Sequence, residues 1–362
     1  MNATRANVDL DDTDGLIAAD RDGLLRSASM AGAQVRAMAA AVDEGALDAV
    51  RAEQRPRSLV WVAGRGAAES AGNMLAAVLG ASAAQPIVVA AEAPPWIGPL
   101  DVLVVAGDDP GDRALVGAAA MGVRRGASVL VAAPYDGPLR DATAGRAAVL
   151  APRLWVPDDF RLCHYLAAGL ATAHAVDSTL TVGLAALADD LDAEALRNSA
   201  GRELFTNAAK SLADRMAGRD VALCGDSVGT LALARHAAAV LLRVAGQPVA
   251  ATGLGDALVG SRLAPARGDA VDALFHDEQI DGPLPQRLRV FALALAAERP
   301  LVAARVAGMS DVDLVGVQDV PDVLDSGESA GEVLAGGRPE QQLAMLAVRL
   351  EMAAVYLRLA RG

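Results

Sequence analysis

Chemistry in this chain has three short turns and four scattered histidines to work with. The first turn, Gly64-Arg65-Gly66-Ala67-Ala68-Glu69-Ser70, follows an apolar run and opens an Ala-rich segment. A helix start of that kind presents free amide groups suited to a phosphate, and Gly64 and Gly66 permit close backbone approach. The turn also half-matches a dinucleotide fingerprint, with Glu92 as the ribose acid, but Glu69 stands where a third glycine is needed. A purely structural turn is the plain alternative. The second turn, Gly107 to Asp112, carries Asp108, Asp109 and Asp112 and no hydroxyl. A carboxylate about 5 Å from a phosphate costs about 3 kcal/mol per unit charge pair at an effective dielectric of about 20. Capping of the following helix by Asp109 or Asp112 explains these residues more simply than Mg²⁺ held by Asp108 and Asp109. The third turn sets Ser227 and Thr230 beside Gly225 and Gly229, with Arg235 further along the next helix, so hydroxyls, amides and a guanidinium could meet a phosphate. N-capping by Asp226 or Ser227 is the alternative.

His164, His174, His236 and His276 share no helix face with a carboxylate in a metal or catalytic spacing. His276-Asp277-Glu278 reads as a solvated loop. Cys163 and Cys224 are too isolated for a disulfide or zinc pattern and read as small buried hydrophobes. No nucleophile motif, zinc spacing or phosphate-binding P-loop occurs, and no cofactor is expected.

The elements that would position these turns follow from periodicity. Nine strands are predicted, at Leu59–Ala63, Ile87–Ala91, Val102–Val105, Ser128–Ala132, Ala147–Leu150, Val221–Cys224, Pro248–Thr252, Arg289–Leu295 and Val312–Val317. Their alternation with helices implies parallel sheets with ligands at the carboxyl ends of the strands. Residues 14–52 read as two helices with a break at Asp43-Glu44-Gly45. One long helix is predicted from Phe160 to about Ala186, a second helical run from Asp192 to Arg215, and an amphipathic helix from Pro339 to Arg361. The 362 residues suit two domains. The divisions expected are N-terminal helices (1–56), a first α/β domain (57–155), connecting helices (156–216), a second α/β domain (217–338) and a C-terminal helix (339–362). A net charge of −13 argues against nucleic acid and anionic membranes as partners. The acidic start and the lack of a long uncharged apolar run predict a cytoplasmic protein.

This order of elements resembles the bifunctional phosphoglucose/phosphomannose isomerases, built on sugar-isomerase (SIS) domains. The resemblance spans nearly the whole chain and is clearest in LVWVAGRGAAESAGNML, VALCGDSVGTLALARHAA and AAVYLRLARG; the chain looks like a divergent, actinobacterial-type member. It implies an α/β fold of two SIS-type, flavodoxin-like parallel-sheet domains with flanking N- and C-terminal helices, and a homodimer. The family's sugar-phosphate loop, of Ser-Gly-Asn-Thr type, falls on Gly107 to Asp112, where both hydroxyls are gone. The family's catalytic glutamate falls on Val240 and its histidine on Asp256, while its helix arginine matches Arg235.

Aldose–ketose isomerisation needs a base between C1 and C2 and an acid to open the ring, and losing one such group costs about 10²–10⁴-fold. Val240 moves no proton. The expectation is therefore a sugar-phosphate-binding protein with a degenerate site and a regulatory or partner-binding role in hexose-phosphate metabolism. Its ligand residues would be Gly64, Arg65, Gly66, Ser227, Thr230 and Arg235, and its partner an enzyme of mannose- or glucose-phosphate metabolism. One alternative is an active isomerase of glucose-6-phosphate or mannose-6-phosphate with a rearranged site using Asp256, His236 or His276. Another is a structural dimer that binds no ligand.

Overall fold

A computed structural model describes residues 8–51, 55–263, 288–319 and 337–361. All nine expected strands form, in two parallel sheets. The first contains β1 (Ser58–Val62), β2 (Ile87–Ala90), β3 (Asp101–Ala106), β4 (Ser128–Ala132) and β5 (Ala148–Val149), in the order β2-β1-β3-β4-β5. The second contains β6 (Val221–Gly225), β7 (Ala250–Gly253), β8 (Arg289–Leu293) and β9 (Val312–Val315), in the order β7-β6-β8-β9. Strands β1 and β3 are buried along their whole length because both faces are covered, which is why they read as unbroken apolar runs.

The two-residue period of the strands divides each sheet between two cores. In the first sheet Leu59, Trp61, Val102 and Val104 face the main core, while Val60, Val62, Leu103 and Val105 face an outer one. The outer core is roofed by α5 (Arg113–Arg125) and α6 (Gly137–Thr143). Leu223, Phe291 and Leu293 bring the second sheet into the same main core; its own outer face packs on α11 (Leu254–Leu263) and α12 (Arg299–Val306). Between the sheets lie α4 (Gly66–Leu79), α7 (Leu162–Val176), α10 (Val228–Ala245) and α13 (Pro339–Arg361). The architecture is α/β with two parallel-sheet units and many helices.

Several helix boundaries differ from expectation. The N-terminal segment holds three helices, α1 (Thr13–Ala19), α2 (Leu24–Ala28) and α3 (Ala31–Asp43), where two are predicted. The long helix predicted to Ala186 stops at Val176. Asp177 ends it by accepting bonds from the Thr179 hydroxyl (2.6 Å) and amide (3.2 Å), a side-chain turn that competes with helix. The next run is broken as well: α8 covers Leu184–Arg197, and α9 covers Ala208–Met216, capped by Asn207, whose Oδ1 accepts from the Lys210 amide at 2.9 Å.

The C-terminal helix has the predicted limits but not the predicted amphipathicity. Helix α13 is buried from Glu340 to Leu357, polar residues included. Arg349 donates from Nε to Glu194 Oε1 (2.7 Å) and from its other nitrogens to the carbonyls of Gly316 (2.8 Å) and Val317 (3.1 Å). Burial pushes the Glu194 carboxyl up, but Arg349 and Arg197 beside it leave it below the usual carboxylate range. Gln342 accepts from the Ala296 amide at 2.8 Å, and Tyr356 donates to the Asn198 carbonyl at 2.6 Å. Polar atoms read as a solvated face are instead satisfied inside the protein.

Helix α10 is long and apolar enough to cross a membrane by length and composition, the one such helix among the described residues. Its Leu233, Ala237, Val240 and Leu241 lie in the main core.

His164 on α7 is a buried group that makes the fold sensitive to acid. Its Nε2 has no partner among the described residues, and burial, with Arg161 adding to it, lowers its pKa to about 4. The unfolded chain therefore takes up a proton from about pH 6.5 downward that the folded protein refuses. Stability from this group should fall by up to about 1.4 kcal/mol per pH unit as pH drops from about 6.5 toward about 4. Urea melts of His164→Gln against the parent across that window should show the slope reduced.

Candidate functional site

The order β2-β1-β3-β4-β5 reverses direction between β1 and β3, the place where open α/β sheets hold ligands. A cleft of about 490 Å³ opens there. Gly64, Arg65 and Gly66 form one wall, Asp108, Asp109 and Asp112 the other, and Asp158, Asp159 and Arg243 close the end. Gly66 has a φ of +69°, which favours glycine at the first residue of α4. That helix has no side-chain cap, so its first amides face the cleft without a protein acceptor from a capping residue.

The opposite wall is anionic and fixed in place. Asp108 accepts from the Tyr165 hydroxyl at 2.6 Å and from Arg161 Nη1 at 3.0 Å. Burial nevertheless holds its carboxyl above the ordinary aspartate range. Asp109 Oδ1 accepts from the Gly111 amide at 2.8 Å, turning the loop on itself. Asp112 caps α5 through the Ala114 amide at 2.8 Å and pairs loosely with Arg65 at 3.5 Å. The capping role expected of Asp109 or Asp112 thus falls to Asp112. Asp158 pairs with Arg161, and Asp159 with Arg243. Carboxylates outnumber the arginines Arg65, Arg161 and Arg243 around the cleft, leaving it net negative. Among the described residues no three His, Cys, Asp or Glu side chains come together as a metal-ligand set. Glu92 lines a separate cavity with Arg113 and Met121, away from the Gly64 turn.

The turn before α10 serves structure. Ser227 Oγ accepts from the Thr230 amide (3.2 Å) and Thr230 Oγ1 from the Ser227 amide (3.1 Å), a reciprocal capping box at the start of that helix. Thr230 is fully buried. Arg235 lies about 12 Å further along the helix axis than Ser227 and does not converge with those hydroxyls. It lines a different groove, of about 190 Å³, between α4 and α10, together with Glu69, Ser70, Asn73, His236 and Arg243.

Asp256 lies exposed in the first turn of α11, with the Thr252 hydroxyl 3.4 Å away. It does not meet His236, which is buried with Nε2 2.9 Å from Glu351 Oε1 on α13. His276 lies outside the described residues. Glu351 was invisible to sequence reasoning: it is 115 positions from its histidine, within a helix whose polar residues read as solvated.

The comparisons with known proteins bear on the fold. A structure designated a phosphosugar isomerase, from Clostridium difficile 630, superposes with a TM-score of 0.63 at 14% identity, covering 93% of each chain. The tagatose-6-phosphate ketose/aldose isomerase of Escherichia coli does so at 0.58 and 13% identity, covering 94% of this chain and 91% of that one. A glucose-6-phosphate isomerase-like protein of Thermus thermophilus gives 0.53 and 19% identity, covering 98% of this chain and 96% of that one. This chain has the phosphosugar-isomerase fold. No family model matches the sequence. No curated protein matches it either. At such identities the phosphosugar-isomerase fold is shared, and a shared fold does not carry the residues of a site with it.

Proposed function

We propose that this protein is a carbohydrate-derivative-binding member of the phosphosugar-isomerase fold that lacks aldose–ketose isomerase activity. It acts by regulation or association in hexose-phosphate metabolism, as a homodimer in the cytoplasm. The observation that carries this reading is Asp108. The loop that holds sugar phosphate in the family resembled here carries instead an aspartate clamped by Arg161 and Tyr165, with two further aspartates beside it. A phosphate entering the cleft meets a net negative wall in place of hydroxyl donors. The proton-transfer groups are missing too, since Val240 is apolar and buried and Asp256 is exposed on another element.

A coupled assay should detect no interconversion of glucose-6-phosphate or mannose-6-phosphate with fructose-6-phosphate above the rate without enzyme. A thermal-shift titration with the same sugars should give a small shift, against about 2.7 kcal/mol for a ligand at about 100 times its dissociation constant, and no shift with any of them would favour the structural dimer that binds no ligand. Isomerisation at an ordinary turnover number would overturn the proposal. One observation favours the rearranged isomerase as a second reading: His236 and Arg235 line the same groove. In that case His236→Gln would abolish a measurable turnover.

A further inference from the structure

The groove between α4 and α10 has the makings of a site of its own. Its floor is Ala232, His236 and Ala239, and its walls are Glu69, Ser70 and Asn73 on one side and Arg235 and Arg243 on the other. These positions fall three or four apart on both helices, so each contributes a single stripe. The small floor residues let the groove reach the edge of the imidazole, which is 2% exposed in all. His236 turns Nε2 inward to Glu351 and has no partner for Nδ1 among the described residues. Arg235 likewise has neither an ion pair nor a hydrogen bond there.

A carboxylate on one ring nitrogen fixes the tautomer and supports the charged form, in which both nitrogens donate. The groove offers the Arg235 guanidinium and, when the ring carries both protons, His236 Nδ1 as donors, while the Asn73 amide nitrogen also donates to the Glu69 carbonyl at 3.1 Å. Glu69 at the mouth is the carboxylate among its lining residues.

We propose that the α4/α10 groove binds a small oxyanion, of the size of inorganic phosphate, between Arg235 and the Nδ1–H of His236, with Glu351 as the positioning residue behind the imidazole. The charged and titratable groups around the pair are Glu351 on α13, Glu69 on α4, Arg235 and Arg243 on α10, Asp159 before α7 and Cys163 on α7. Burial pushes the Glu351 carboxyl up, and the His236 hydrogen bond opposes that push. The groove adjoins the cleft at β1 and β3 and shares Gly66 and Arg243 with it, but Arg235 and His236 line the groove and not the cleft; the inference needs neither isomerase activity nor sugar binding.

The test is nitrogen-15 NMR of the histidine side chains of the full chain, assigned through bonds, during titration with sodium phosphate at neutral pH. Sodium chloride of equal ionic strength is the control. The His236 nitrogen signals should shift with phosphate and stay in place with chloride. Arg235→Ala, at an exposed position that the fold tolerates, should weaken phosphate binding about 10- to 100-fold, whereas Arg65→Ala should leave it unchanged. Equal responses to phosphate and chloride would overturn the proposal, as would undiminished binding in Arg235→Ala. Loss in Arg65→Ala alone would place the anion in the β1/β3 cleft and also overturn it. Inorganic phosphate is no isomerase substrate, so finding turnover with hexose phosphates would refute the functional reading and leave this outcome standing.

Discussion

Arg349→Ala is expected to destabilise the protein by about 3–5 kcal/mol in urea denaturation, the usual cost of removing one partner of a buried ion pair. Arg349 is 1% exposed and Glu194 is fully buried. The arginine also serves the carbonyls of Gly316 and Val317, so its removal orphans acceptors on a loop as well as a carboxylate on α8. Arg197 remains beside Glu194 at 2.8 Å and limits the loss. The matched control is Arg358→Ala, further along the same helix. Its pair with Asp22 is exposed at both ends, and its loss should cost less than about 1 kcal/mol. Equal effects at the two positions would show that the interior network contributes nothing special.

Gly72→Ala should also be costly, against the expectation from helix propensity. Replacing an interior helical glycine by alanine gains about 1 kcal/mol when nothing intervenes. At Gly72 a Cβ would run into the indole of Trp61, with Nε1 at 2.6 Å and Cγ at 3.0 Å. That indole cannot swing away, because it is buried and its Nε1 donates to the Ala68 carbonyl at 2.9 Å. Gly169 on α7 closes on the same ring from another side, where a Cβ would stand 3.1 Å from Cζ3. Overpacking of this kind costs about 1–3 kcal/mol, so a net loss is expected. Gly117→Ala provides the opposite case. Gly117 lies in α5 with nothing near its Cβ direction, and the substitution should gain up to about 1 kcal/mol. Melting curves of the two variants should therefore move in opposite directions, and a gain at Gly72 would mean that the indole yields.

The strands were legible because parallel strands covered on both faces must be continuous apolar runs, and LVWV, VLVV and VLVA are such runs. Helix ends were less so. The Ala-rich pattern that ends at Val176 resumes at Leu184, and the side-chain turn of Asp177 and Thr179 in the Asp-Ser-Thr stretch between them separates two helices that read as one. Helix α13 is legible in its limits but not in its environment. Gln342, Arg349 and Glu351 look like a wet face in sequence, yet each meets a partner supplied from far away in the chain. The same holds for the candidate site. The three turns stood out by their glycines, hydroxyls and carboxylates, but whether Ser227 and Thr230 face a ligand or each other depends on side-chain geometry. The joining of Arg235 and His236 to Glu69 and Asn73 depends on how two helices pack.

The interior position of α13 bears on how the protein is made. Its residues touch the helices of both halves and stand at the centre of the core between the sheets, yet they follow every strand in chain order. A ribosome adds roughly 5–20 residues per second, so both sheets emerge and wait before the helix that joins them exists. During that interval Leu343, Leu346, Leu350 and Val355 have not arrived, and the apolar faces they will cover stay open to solvent or to a chaperone. Completion of the shared core is therefore a post-assembly step of synthesis: whichever half folds first must keep a slot for the last helix.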